Sequence, residues 1–522
     1  MNVPTEKSES RGHVRGSSLL LAGRMISLAI NFAVQVLIVR YLSKHDYGAF
    51  AYGFSIAMLA ARMTPLGTDK AISRFIPIYH EENRLHQLKG SLLVAFMTIG
   101  IMGVLLVGMV LSLKSALAGS VVRDPLSLSV LLIIIALAPL HAMENLLEKL
   151  LAIFGRVRSI FFRRYLLTPL LRLIAVCSLM AAGGDARYLA AAYVVVTLFG
   201  VLVSSQLLWR VLREDQLLSQ LAQVKAELPT KRLLGFGVPL LSSEVVFGLR
   251  TSLVVLLLEF FHGTTGVAAF RAILPVARLN QVVFDSFRVL YVPAASRLFA
   301  RGEHAAISQL YWRSSAWIAM LTMPVFLISF SLAGPTVVLL FGESYASSGP
   351  VLSIVALGLY LNAAFGFNTL TLHVFDRVRT ILRIDLACGV LALALNLVAV
   401  PAYGALGGGA VTFLVLAFQN IAFQVALGRA GQLARIPGEI ARIHGAIFTL
   451  AIALLIFQIK FTPPAAVGLA LAALGTAVIW IIYMKTLQIR QLFPELDRFL
   501  SRRSVASKPL PPATLPSDQP PS

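Results

Sequence analysis

Apolar runs of about 20 residues, the length that crosses a bilayer core as a helix, recur along the whole chain between short polar stretches. These windows predict about fourteen helices, at roughly 17–41, 48–66, 90–113, 126–149, 160–183, 186–209, 235–258, 266–291, 308–332, 350–373, 382–401, 405–428, 441–460 and 466–485. The second and eighth spans are the weakest of the set, since each carries arginine. The first 16 residues are polar, and the apolar segment after them is long and lacks a small-residue cleavage site, so it reads as a first membrane helix rather than a leader.

The pattern also repeats. Phe154-Gly-Arg-Val-Arg-Ser159 returns as Phe375-Asp-Arg-Val-Arg-Thr380, and Gly48-Ala-Phe50 returns as Ala268-Ala-Phe270, at offsets of 221 and 220. An offset that spans six helices keeps both copies entering the membrane in the same direction. The repeat is therefore parallel, with two six-helix bundles about an axis along the membrane normal. The expected organisation is a cytoplasmic tail at 1–16, a first bundle at 17–209, a linker at 210–232, a second bundle at 233–428, two further spans within 429–487 and a Pro-rich, disordered tail at 488–522.

Composition agrees with this architecture. Of 522 residues, 57% are hydrophobic and 13% charged, against about 25% charged in soluble proteins. The fold class expected is an all-α polytopic membrane protein. The net charge of +21 does not indicate nucleic-acid binding, because no soluble segment is long enough to fold as a basic domain. With the N-terminus inside, about 31 Lys and Arg fall in inner loops and tails and about 6 in outer loops, so topology absorbs most of the charge. Both termini are then cytoplasmic. Cys177 and Cys388 lie in apolar segments and form neither a disulfide framework nor a metal site. Walker loops, nucleophile elbows and His-Glu-x-x-His motifs are missing, so neither catalysis nor a cofactor is expected. The outer loops are too short for a polytopic glycosyltransferase, whose nearest candidate carboxylate is Glu343.

Charges inside spans cost about 2.5–3.5 kcal/mol each near the bilayer centre, so each needs a cavity, a partner or an interface. On the first span Arg24, Ser27, Asn31 and Gln35 fall within roughly 80° of one another at 100° per residue. The second span adds Ser55 and Arg62. Glu244, Arg250 and Thr251 lie on the seventh span; Arg271, Arg278 and Asp285 follow one another by sevens on the eighth, along a line about 21 Å long. Arg24, Asn31, Arg62, Arg250, Arg271 and Arg278 are therefore the candidate lining of a water-filled cleft that grips an anionic head group, since guanidinium binds phosphate bidentately. Arg172, Arg288 and Arg313 lie within reach of an interface. Glu144, Glu148, Glu244, Asp285 and Asp385 are candidates for ion coupling; Glu144 and Glu148 share a helix face with His141.

Three segments carry a family resemblance. Arg40-Tyr-Leu-Ser-Lys-His-Asp-Tyr-Gly-Ala-Phe50, Gly67-Thr-Asp-Lys-Ala-Ile-Ser-Arg-Phe75 and Phe341-Gly-Glu-Ser-Tyr345 resemble elements of the Wzx-like oligosaccharide flippases of the multidrug, oligosaccharidyl-lipid and polysaccharide exporter superfamily. The likeness covers roughly 15–485. It implies a V-shaped pair of bundles in a bacterial inner membrane, alternating between inward-open and outward-open states. The implied cargo is a polyprenyl-pyrophosphate-linked oligosaccharide for O-antigen or exopolysaccharide synthesis, with membrane lipids, a polymerase and glycosyltransferases as partners. A lipid II flippase or a multidrug exporter of the same superfamily is the alternative.

Overall fold

The computed structural model describes residues 6–119, 122–155, 157–429 and 436–484, and their side chains except at 6–22, 157–158, 242–243, 245–247 and 249–251. The tail at 488–522 and the side chain of Arg250 lie outside the described residues. The first half holds α1 (Glu6–Tyr41), α2 (Lys44–Met63), α3 (Thr68–Glu81), α4 (Leu85–Ser112), α5 (Pro125–Ile153), α6 (Phe161–Ala182) and α7 (Ala186–Glu214). The second holds α8 (Thr230–Arg278), α9 (Val282–Ala300), α10 (His304–Ser331), α11 (Ala333–Phe341), α12 (Glu343–Val374) and α13 (Val378–Arg429), followed by α14 (Gly438–Phe461) and α15 (Ala465–Tyr483).

Among the described residues, eleven helical stretches are long and apolar enough to cross a membrane. The protein is all-helical and polytopic. Eleven differs from the fourteen expected for a physical reason. The 49 residues of α8 and the 52 of α13 run on through a reversal, at Gly263 (φ 67°, ψ −172°) and Gly404 (φ 57°, ψ −134°). A straight helix of that length would be more than twice the roughly 30 Å of a bilayer core. α2 is helical where expected but less apolar, with Lys44, Asp46 and Arg62 in it. The two reversals touch, since His262 Nε2 lies 2.8 Å from the Val400 carbonyl oxygen. The side that the charge distribution assigns to the cytoplasm is called inner below, and these reversals are on the outer side.

Helix starts are set by local chemistry. Ser43 accepts a hydrogen bond from the Asp46 N–H at α2, Asp124 from Ser127 at α5, and Asp185 from Arg187 and Tyr188 at α7, each satisfying amides that the helix leaves unpaired. The repeated Phe-x-Arg-Val-Arg motif closes α5 and α12 with the same turn. Phe154 and Phe375 donate to carbonyls four residues back, and Gly155 (φ 70°) and Asp376 (φ 55°) follow in the left-handed region. α3, which hydropathy does not mark, is an amphipathic helix on the inner side that buries Ala71, Ile72, Phe75, Ile76 and Tyr79.

One apolar core joins the two halves: Tyr52 of α2, Ile134 of α5 and Leu189 of α7 lie in the same cluster as Val255 and Ala268 of α8 and Val337 of α11. A second ties α14 and α15 to α10 and α12 through Phe326, Tyr360, Ile447 and Ile479. Outward-facing apolar residues such as Val104 (75% exposed), Val398 (72%) and Ile481 (75%) form the belt that lipid covers. The segment between the halves is seated on the first one. Lys89 Nζ donates to the Val224 carbonyl at 2.8 Å, and the Glu227 N–H donates to the His86 carbonyl at 3.1 Å.

Candidate functional site

Between the two halves lies a polar chamber made of three connected spaces. The central one, 510 Å³, is bounded by α1, α5, α6 and α9 and includes Arg24, Asn31, Arg172, Arg278 and Asp285. It shares Leu28, Asn31, Arg172 and Arg278 with an outer space of 330 Å³ that adds Gln35, Tyr47 and Arg271. It shares His141 and Asn145 with an inner space of 440 Å³ that adds Arg62, Lys70 and Glu244. The polar stripe of the first span and the arginine line of the eighth thus face the same volume.

Most of these charges are paired. Arg163 is 2% exposed and is held by Glu144 and, at 2.8 Å, by Glu148; Arg164 also binds Glu148, and His141 Nδ1 lies 3.0 Å from Glu144. A π-helical stretch, Phe161–Leu167, places Arg163 and Arg164 side by side against those carboxylates; such distortions of the ladder are common at functional sites. Arg24 pairs with Asp285 at 2.5 Å. Asp385 is elsewhere, accepting a hydrogen bond from Gln419 at 2.7 Å across the two arms of α13.

In the central and outer spaces six arginines face three carboxylates. The excess resides on Arg172, Arg271 and Arg278, which have no carboxylate within ion-pair distance among the described residues. Arg172 was the least legible of the three. It stands alone on its helix in sequence, and only the packing of α6 beside α1 turns it into the chamber, where it also lies 5.7 Å from the Tyr193 ring.

Contacts cross between the halves at both ends of the chamber. On the inner side, Arg24 meets Asp285 (2.5 Å), and Glu244 meets Arg62 (3.3 Å) and Lys70 (3.0 Å). At the repeat offset Arg24 corresponds to Glu244, so the first half supplies the cations and the second the anions. On the outer side, two of the segments singled out in the sequence meet each other. Arg40 donates to the Leu339 (2.5 Å) and Leu340 (2.9 Å) carbonyls at the C-terminal end of α11, and Lys44 donates to the Ser344 carbonyl at 3.0 Å. Cations suit a helix C-terminus because its last carbonyls are unpaired and its dipole is negative there. Close by, α2 crosses α8 so tightly that a Cβ on Gly48 would lie 2.0 Å from the Thr264 carbonyl oxygen.

The profile of the polysaccharide biosynthesis protein family matches residues 13–299. The chain belongs to that family. Its fold is that of the multidrug, oligosaccharidyl-lipid and polysaccharide exporter superfamily. It resembles the lipid II flippase MurJ in an inward-closed conformation, with a TM-score of 0.67 at 13% identity over 90% of this chain and 100% of that one. It also resembles an inward-facing multidrug resistance transporter of the same superfamily, with a TM-score of 0.62 at 14% identity over 78% and 96%. An uncharacterized membrane protein of Methanocaldococcus jannaschii is 22% identical over 433 residues, 78% of this chain and 83% of that protein. Within this family fold, the arginine-rich chamber occupies the space between the halves.

Proposed function

We propose that this member of the polysaccharide biosynthesis family is a flippase that moves a polyprenyl-pyrophosphate-linked oligosaccharide across a bacterial inner membrane. On this reading fourteen spans form two parallel six-helix bundles plus two C-terminal helices, with both termini cytoplasmic, and the bundles rock about the chamber to open it to one side at a time. The observation that carries the reading is the set of three unpaired guanidinium groups, Arg172, Arg271 and Arg278, in a chamber whose carboxylates are already taken. A diphosphate supplies the missing negative charge and accepts from planar donors. An organic cation would meet net repulsion there, which disfavours a drug exporter; lipid II shares the diphosphate and differs only in its sugar. Asn31, Asn145 and Gln281 line the same space and provide neutral donors and acceptors for sugar hydroxyls.

Glu244 and Asp285 serve first as contacts between the halves and become free to bind a coupling ion only when their arginines leave. Glu144 and Glu148 hold Arg163 in place. The cargo comes from glycosyltransferases on the inner side and passes to a polymerase on the outer side.

In proteoliposomes carrying lipid-linked oligosaccharide, Arg278→Glu or Arg271→Glu is expected to lower flipping by at least about tenfold, the loss of one charge-assisted contact of about 1.5–3 kcal/mol. Flipping at the parent rate by both variants, at equal protein level, would overturn the proposal.

A further inference from the structure

Glu259, four residues before the Gly263 reversal of α8, takes no part in the chamber, yet it is 4% exposed and its Oε2 has no hydrogen-bond partner among the described residues. It is buried where the outer ends of the two halves meet, one residue from Leu258 in the core shared with Phe50, Tyr52 and Leu131. Ser127 of α5 lies beside it; that residue is fully buried, and its hydroxyl also lacks a partner among the described residues.

The other groups that face this carboxylate do not neutralise it. From α2 come His45 and the Tyr52 hydroxyl. From the start of α5 comes Asp124, whose Oδ1 lies 3.1 Å from His45 Nε2. Burial works against a charged Asp124, but the Ser127 N–H and hydroxyl, together with His45, outweigh it and hold that carboxyl below its ordinary range. The single imidazole is thus already engaged by an ionised neighbour. Arg123 is turned to the Phe260 ring, 4.7 Å away. α13 offers the Val400 carbonyl, which His262 occupies. An ionised carboxylate buried beside a second one, without a cation of its own, is costly enough that the neutral acid forms instead.

We infer that Glu259 is a proton-binding site that ties closure of the outer side to protonation: the acid form is buried with its O–H directed to Ser127 Oγ, and the carboxylate forms only when the halves part and water enters. The inference rests on the two-bundle reading of the cycle and not on the identity of the cargo. The sign follows from linkage. The closed form binds the extra proton, so closure is favoured at low outer pH and lost as pH rises, with the open-to-closed ratio growing at most about tenfold per pH unit for one proton. The site lies at the outer end only, so it gates that side and does not by itself carry a proton across.

The experiment needs no cargo, so it can fail independently of the proposed substrate. In the full chain in lipid nanodiscs, with Cys177→Ala and Cys388→Ala, spin labels are placed at Lys114→Cys and Glu343→Cys, exposed outer positions of the two halves. Pulsed dipolar spectroscopy from pH 5 to 9 should show the longer distance gaining population as pH rises. Glu259→Gln, which keeps the shape and a donor for Ser127, should hold the short distance at every pH, and Glu259→Asp should restore a pH response. A parent distribution that does not move with pH, or a Glu259→Gln protein with the parent response, would overturn the inference.

Discussion

Arg163 and Arg172 lie nine positions apart on α6 and play opposite parts. Arg163 is enclosed by Glu144 and Glu148, whereas Arg172 faces the chamber without a carboxylate partner among the described residues. In the sequence the first looks like a loop residue and the second like a residue near an interface. Helical periodicity gives the face of each side chain but not what stands opposite, and the π-helical stretch at Phe161–Leu167 shifts the register between them. The consequence for stability is direct. Removing one partner of a buried ion pair typically costs about 3–5 kcal/mol because the other charge is left unpaired. Arg163→Gln is therefore expected to lower the thermal unfolding midpoint in detergent clearly, and adding Glu144→Gln should recover part of the loss. No change in midpoint for Arg163→Gln would show that the cluster does not stabilise the fold.

At the scale of elements, α1 meets α9 and α2 meets α8 through Arg24–Asp285 and Arg62–Glu244. The amphipathic stripe of α1 and the seven-residue spacing of Arg278 and Asp285 were legible in sequence, because both follow from helix geometry alone. The pairing was not, since it depends on which helices cross and at what height. Arg24 and Asp285 remain 44% and 35% exposed, and a pair this open is worth at most about 1 kcal/mol. A contact of that size shifts a two-state balance by about fivefold and so can break in every cycle. Reversing one partner, as in Arg24→Asp or Asp285→Arg, is expected to impair transport, and the double reversal should recover it. A double variant as impaired as either single one would mean that the two residues act separately, for example on the cargo itself.

For the whole molecule, the proposed cycle requires the contacts at the two ends of the chamber to alternate. Lys44 and Ser344 belong to different halves and meet on the outer side. In a chain with Cys177→Ala and Cys388→Ala, a cleavable bifunctional thiol reagent joining Lys44→Cys to Ser344→Cys should stop flipping, and reductive cleavage should restore it. Unchanged flipping in the cross-linked protein would exclude motion of the halves at this contact.

The sequence by itself determined that this is a polytopic helical membrane protein, where its spans lie, that two segments repeat at one offset and that a few arginines sit inside spans. These are local or additive properties, set by runs of apolar residues about 20 long, by helical periodicity and by the cost of charge in lipid. Only the tertiary structure decided which charges cancel and which stay unpaired. It turned Arg172 into the chamber, engaged Glu144 and Glu148 with Arg163, brought the Arg40 and Phe341 segments together and enclosed Glu259 between the halves. Those outcomes depend on contacts between residues far apart in the chain, as in the 261 positions separating Arg24 from Asp285. Coulomb energy and burial depend on distance in space, which spacing along one helix does not contain.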